Sequence, residues 1–428
     1  MYFRISITLM ITVIKNIAEI IQVETKPRKW VAGQDMASID TIKNGFIEIS
    51  NGIISDFGDM DNWKGIEDWN NTEIIDANGG MVFPSYCDSH THLVFHGHRE
   101  SEWVQRINGA SYEEIANNGG GILNSAKKLQ NASETELIES ALTRINDVVK
   151  IGTGAIEIKS GYGLTVDAEL KMLRVIKALK ERTDVRIKST FLGAHAIPKE
   201  FNGNSCKYLD IIINEMLPII SQENLADFID IFCETGYFSK NDTDRLLSAA
   251  KHYGLTPKTH VNQFTILGGV RKSIEHNALS VDHLEIVNDD DINALKGSKC
   301  MPTMLPGCSF FLGIPYGPAR QLIDNGLPLA LASDFNPGSC PSGNMNLVAS
   351  LGCIKMNMTP EEVINATTIN TAYAMGVSDE LGSIAKGKKA NLFITKPMSS
   401  YAFLAYSFGS HCIDKTLING KIQLQNET

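Results

Sequence analysis

Two histidines separated by one residue are the first chemistry in the chain. Tyr86-Cys87-Asp88-Ser89-His90-Thr91-His92-Leu93 places His90 and His92 at i and i+2. Side chains two apart on a strand share a face, so both imidazoles can meet one cation. Taken alone, the motif is also what a pair of surface histidines beside a loop looks like. Further donors follow at the ends of apolar segments: Lys258-Thr259-His260, Val281-Asp282-His283 and Ala332-Ser333-Asp334. Histidines with one carboxylate form a nitrogen and oxygen site suited to zinc or iron, with an open position for water. Each of these residues alone reads equally well as a hydrogen-bonded core residue. Four separate placements at strand ends make that account poor for the set.

Such donors meet only if the fold gathers them. Short apolar stretches read as strands at Met81–Val94, Gly154–Lys159, Arg186–Gly193, Asp227–Cys233, Thr256–Val261, Ala278–His283, Ser298–Leu305 and Leu327–Ser333. Between them, Glu134–Lys150, Ala168–Arg182, Asn241–Tyr253, Leu267–Glu275 and Pro318–Asn325 have helical spacing or good helix formers. Eight strands with crossovers predict an α/β fold, a closed parallel (β/α)8 TIM-like barrel whose C-terminal strand ends converge on one mouth. Both chain ends are β-rich instead. Phe46 to Ile49 alternates, Asn51-Gly52 supplies a tight turn, and Ile53 begins a return strand; Ala390–Thr395 and Lys415–Lys421 behave alike. Residues 1–80 and 382–428 are therefore expected to form a small β-sandwich domain, with 81–381 as the barrel.

Composition narrows the function classes. The 428 residues are 43% hydrophobic and 21% charged, ordinary for a soluble globular enzyme with a sizeable core. Lys+Arg 39 against Asp+Glu 49 gives a net charge of −10, and no long basic run is present. Neither a nucleic-acid groove nor an anionic-membrane patch is expected as a partner surface. The 8 cysteines include no CxxC pair, so reduced thiols in a cytoplasmic protein are expected. The apolar run Ile5–Ile14 is too short to span a bilayer and reads as a strand.

With these motifs in place, the chain resembles the amidohydrolase superfamily, through Asp88-Ser89-His90-Thr91-His92, His260, His283 and Ala332-Ser333-Asp334. Within it, the closer likeness is to the imidazolonepropionase family. That likeness rests on Gly97-His98-Arg99-Glu100, Lys159-Ser160-Gly161-Tyr162-Gly163, Gly193-Ala194-His195, Phe232-Cys233-Glu234 and Asp334-Phe335-Asn336-Pro337-Gly338-Ser339. It runs from about Ile17 to Lys421, nearly the whole chain. The resemblance implies one metal ion, zinc or iron, held by His90, His92, His260 and Asp334. It implies hydrolytic opening of 4-imidazolone-5-propanoate to N-formimino-L-glutamate in histidine degradation, with a homodimer as the assembly. Asp334, His283 and Gln263 are then the catalytic candidates.

A propionate tail needs a cation. Arg99, shortly after the first barrel strand, can grip a carboxylate bidentately, although a surface ion pair is an arginine's commoner fate. Tyr162 between two glycines, His195, Gln263, Asn336, Gly338 and Ser339 complete the expected substrate contacts, with Tyr112 as a further one. Gln263 stands where the family carries glutamate or glutamine, and an amide positions a ring but is no general base. Lys159 is expected to support the Tyr162 loop, and Glu234 is the one residue placed to hold a second metal. Two rival readings are a nucleobase aminohydrolase built on the same barrel and a non-catalytic barrel used in assembly. Arg99 argues against the first, and the intact donor set against the second.

Overall fold

The strands divide between two eight-stranded sheets. The computed structural model describes residues 10–67, 69, 71–110, 114 and 120–423. Residues 5–9 of the Ile5–Ile14 run, and Tyr112, lie outside the described residues.

The terminal sheet is built from β1 (Ile11–Ile21), β2 (Thr41–Ser50), β3 (Ile53–Asp59), β4 (Thr72–Asp76) and β5 (Met81–Pro84). It is completed from the far end of the chain by β14 (Leu392–Thr395), β15 (Ile413–Ile418) and β16 (Lys421–Ile422). The order is β16-β15-β14-β5-β1-β2-β3, with β4 paired to β1. The β2–β3 hairpin turns on Asn51 at φ 50° and Gly52 at φ 81°, the left-handed pair that matches strand twist. Ile14, Ile17, Ile47, Ile394 and Leu417 give this sheet a core of its own. Asn391, buried, donates from Nδ2 to the Gly154 carbonyl at 3.0 Å and ties the sheet to the barrel.

The second sheet contains β6 (Tyr86–Thr91), β7 (Thr153–Lys159), β8 (Arg186–Ala194), β9 (Phe228–Cys233), β10 (Thr256–Val261), β11 (Ser280–His283), β12 (Met301–Met304) and β13 (Ala330–Leu331). All neighbours pair in parallel, in sequence order. These strands are almost wholly buried, as expected when helices cover a barrel from outside. The helix Glu134–Lys150 shows how that cover is specified. Ser133 and Glu136 form a reciprocal cap at its start, and Leu137, Ile138, Ala141, Ile145 and Val148 line its buried face. The expected helices at 168–182, 241–253, 267–275 and 318–325 all occur, within a few residues.

Two strand boundaries differ from expectation. The stretch read as one strand, Met81–Val94, is two: β5 belongs to the terminal sheet, between β1 and β14, and β6 opens the barrel. Only Ser85 lies between the two strands, too short a break to give a turn signal that marks the change of sheet. The eighth barrel strand is only two residues long, because the residues after it bond to β6 in a looser way. The Ser333 amide donates to Asp88 Oδ1 at 3.0 Å, the Asp334 amide to the His90 carbonyl at 3.0 Å, and the His92 amide to the Phe335 carbonyl at 2.8 Å. Asp88 also accepts from Ser333 Oγ.

Among the described residues no helix is long and apolar enough to cross a membrane, and all eight cysteines are free. Asp88→Ala leaves the Ser333 amide and hydroxyl buried without their acceptor. The expected outcome is a loss of about 2–6 kcal/mol in urea unfolding, since each of the two orphaned donors costs about 1–3 kcal/mol.

Candidate metal centre

Barrel strands alternate side chains between interior and helix layer, so i, i+2 pairs on several strands reach the same space. His90 and His92 do so from β6 and just beyond it, His260 from β10, and Asp334 from the segment after β13. His90 Nε2 lies 3.6 Å and His92 Nε2 3.8 Å from Asp334 Oδ1. The His90 and His260 ring centroids are 4.4 Å apart, and those of His92 and His260 are 5.6 Å apart. Metal–ligand bonds of about 2.0–2.2 Å put the donors of a tetrahedral site roughly 3.3–3.6 Å from one another. The cluster therefore needs little movement to close on an ion. His90 Nε2 is buried and has no hydrogen-bond partner, which is what a nitrogen reserved for a metal looks like. Burial holds His90 and His92 well below the ordinary histidine range, leaving neutral lone pairs.

Each imidazole is aimed by its other side. Asp282 Oδ2 lies 2.7 Å from His90 Nδ1, and Asp230 Oδ2 lies 3.0 Å from His260 Nδ1. The His92 Nδ1 faces the Ser160 carbonyl at 3.3 Å. Beneath them, Lys159 Nζ donates to Glu157 at 2.7 Å and Asp230 at 2.9 Å, and lies 3.5 Å from Asp282. Lys258 pairs with Glu157 and donates to the Ser89 carbonyl at 3.1 Å. Burial alone would raise Asp230, but His260 and Lys159 hold it far below the usual carboxylate range. Burial likewise works against the Lys159 charge, yet Asp230, Glu157 and Asp282 keep it above the ordinary lysine range. The expectation that Lys159 supports the Tyr162 loop is therefore corrected. Its neighbours on β7, β9 and β11 consume the ammonium; Glu169 holds that loop instead, accepting from the Gly161, Gly163 and Leu164 amides.

The remaining candidates surround the donors. His283 ends β11 with φ 86°, and Leu284 follows at 60° and Asp334 at 58°, backbone that non-glycine residues adopt at some cost. Glu285 Oε1 lies 3.4 Å from His283 Nδ1. Burial opposes the His283 charge, while Glu285 and Asp334 outweigh it and raise the imidazole. Burial raises the Asp334 carboxyl. His195 stacks on His92 at 5.1 Å, faces the Gly161 carbonyl with Nδ1 at 3.0 Å, and is pushed down to about 3 by burial. Tyr162 is buried against both rings, its hydroxyl 3.5 Å from Asn336 Oδ1. A Cβ on Gly161 would sit 3.0 Å from His195 Nδ1, so that close approach requires glycine.

Arg99 reaches the same mouth. Its Nε and Nη2 bond Glu102 at 2.8 and 2.7 Å, while Nη1 lies where a Gly338 side chain would be, 2.2 Å from that Cβ position. Asn336 shapes the adjoining loop: Oδ1 accepts from the Gly338 and Ser339 amides, and Nδ2 donates to the Asp334 carbonyl. Ser339 Oγ is left 3.3 Å from Asp334 Oδ2. Gln263 joins through Cys308, its Nε2 3.6 Å from the thiol sulfur. Glu234, the candidate for a second metal, spends its oxygens on the Thr235, Phe264 and Thr265 amides. Sequence reasoning missed Glu157, Asp230, Lys258, Glu169, Glu102 and Glu285. Ionisable residues inside predicted buried strands were the signal for the first three, since such charges persist only when paired.

Barrel, mouth and donor set together define a metal-dependent hydrolase of the amidohydrolase type. The pattern described as "Amidohydrolase family" matches residues 238–423. The imidazolonepropionase of Christiangramia forsetii is 59% identical, covering 97% of this chain and 100% of its own. That of Flavobacterium johnsoniae is 58% identical, covering 96% and 100%. The E. coli guanine deaminase structure shares the fold at a TM-score of 0.72 but only 14% identity, covering 98% of this chain and 100% of its own. The chain belongs to the imidazolonepropionase family.

Because Asp282 orients His90 through Nδ1, Asp282→Asn is expected to weaken metal binding about 10–100-fold, as loss of a carboxylate behind a ligating histidine does. Competition with a chromophoric chelator measures it.

Proposed function

We propose that the protein hydrolyses 4-imidazolone-5-propanoate to N-formimino-L-glutamate, with one zinc or iron ion held by His90, His92, His260 and Asp334. The observation that carries this reading is the juxtaposition of the imidazole–carboxylate cluster with Arg99 across the Gly338 loop. An ion in this donor set supplies Lewis acidity and brings the pKa of water to about 7.

The chain's own groups do the rest. Arg99 binds the propionate carboxylate through Nη1, the end that Glu102 leaves free, and Gly338 gives it room. Ser339 and Tyr162 flank the same space, and His195 and Gln263 position the ring. Asp334 takes the proton of the water that attacks the ring carbonyl carbon. The carbon–nitrogen bond then breaks, and the proton passes to the leaving ring nitrogen. His283, oriented by Glu285, polarises the carbonyl or hands on that proton. Tyr112 is retained as a substrate contact on the strength of the resemblance. A cytoplasmic homodimer that meets neither nucleic acid nor membrane completes the proposal, and eight free cysteines suit a reducing compartment.

The test is the loss of absorbance of freshly generated imidazolonepropionate, with and without chelator; unchanged turnover after metal removal would refute the reading. Arg99→Met is expected to raise KM roughly 10–100-fold with a smaller change in kcat, since a hydrogen bond to a charged group contributes about 1.5–3 kcal/mol. His283→Gln and Asp334→Asn are each expected to lower kcat by about 10²–10⁴. Their pH–rate profiles assign the proton: the variant that loses the acidic limb has lost the group that accepts it.

A further inference from the structure

Next to the proposed metal centre lies a second set of donors that the hydrolytic reading uses only in part. His283, Glu285 and Cys308 offer a nitrogen, an oxygen and a sulfur within 4.8 Å of one another, all buried. His283 Nδ1 and Glu285 Oε1 are 3.4 Å apart. That is long for a hydrogen bond, whose usual length is about 2.9 Å. It matches the edge of a tetrahedral site with bonds of about 2.0–2.2 Å. Glu285 is 6% exposed, and its Oε2 is buried with no hydrogen-bond partner. Ser309 Oγ is the other neighbour of Oε1, also at 3.4 Å. A buried carboxylate with one oxygen unsatisfied and the other held by two long contacts is under-coordinated. A divalent cation satisfies it better than these neighbours do.

We propose that His283, Glu285 and Cys308 form a second, weaker cation site that takes a thiophilic divalent ion, zinc or cadmium, and that filling it inhibits the enzyme. Imidazole, carboxylate and sulfur with one position left for water make a complete four-coordinate set, and the sulfur selects soft ions over magnesium or calcium. On binding, the Cys308 thiol gives its proton to solvent as the sulfur–metal bond forms. The ion displaces Glu285 from its contact with His283 and puts positive charge beside that ring, so the ring no longer serves the leaving nitrogen. The inhibitory consequence rests on the hydrolase reading above; the site itself does not.

The experiment titrates the holoenzyme, already carrying its first ion, with cadmium. Ion content after dialysis and the ultraviolet sulfur-to-cadmium charge-transfer band are read together, and activity is read on the same samples. A second ion per chain is expected, with the band and the activity loss sharing one midpoint. Cys308→Ser is expected to abolish the band and shift the inhibition midpoint at least roughly tenfold relative to that variant's own starting activity. Glu285→Gln is expected to weaken uptake while the band, once formed, remains. Uptake of no second ion, uptake without the band, or a band unchanged in Cys308→Ser would each overturn the proposal. Should the wild-type protein fail to open imidazolonepropionate, the hydrolase reading falls, and ion uptake with the band still decides the site.

Discussion

Everything at the mouth of this barrel depends on a buried ionic lattice one layer below the metal donors. Glu157, Lys159, Asp230, Lys258 and Asp282 have fully buried side chains and contact one another directly. Removing an ion from water costs several kcal/mol even after relaxation, and a hydrophobic filling of the same volume is often more stable. Layers of Val, Ile and Leu are what such barrels commonly carry. Stability alone therefore does not account for the lattice. Its geometry does, because two of its carboxylates end on the outer nitrogens of His90 and His260. Three carboxylates against two ammonium groups also leave a negative excess facing the histidines, which favours a cation above them. The cost of burial is offset when the ion is bound.

The loops above the lattice follow the same logic with different means. Glu169 gathers three turn amides, Glu102 grips Arg99, and Asn336 closes its own loop. In each case a buried or half-buried acceptor fixes a segment that irregular backbone would leave free. The left-handed residues Asn262, His283, Leu284 and Asp334 stand at strand ends, where the chain turns abruptly out of the sheet. Each places a side chain where a continuing strand could not, at a conformational cost of order 1–3 kcal/mol that the surrounding packing sustains.

How far the sequence disclosed this follows from the same physics. The donors were legible because period-two alternation and strand-end position are local properties: His90 and His92 declare a shared face without any knowledge of their neighbours. Helix boundaries such as Glu134 and Lys150 were legible because capping residues announce them. The change of sheet between Pro84 and Tyr86 was not, since both strands are wholly buried and only Ser85 separates them. The partners of Lys159 were hidden for a different reason. Asp230 and Asp282 lie on other strands, and only the order and stagger of the barrel bring them within 3.5 Å of the ammonium. A lysine next to a glycine loop invites a local explanation; the barrel supplies a non-local one.

Shared architecture also explains why the donor set cannot by itself choose a substrate. Metal, imidazoles and carboxylate activate water against any planar carbon bearing a leaving nitrogen, and fold-level likeness to a deaminase is compatible with ring opening or ammonia release alike. Discrimination has to come from groups that meet the parts of the substrate not undergoing reaction. Here those groups carry charge. Arg99 is held with its Nε edge spent on Glu102, so only one guanidinium end is presented, and it lies over a residue with no side chain. A neutral nucleobase offers nothing to repay the desolvation of that end, whereas a carboxylate tail does. On the proposed reading, selection for an anionic substrate rests on Arg99, and a chain could change substrate by altering that residue while leaving the histidines and Asp334 untouched.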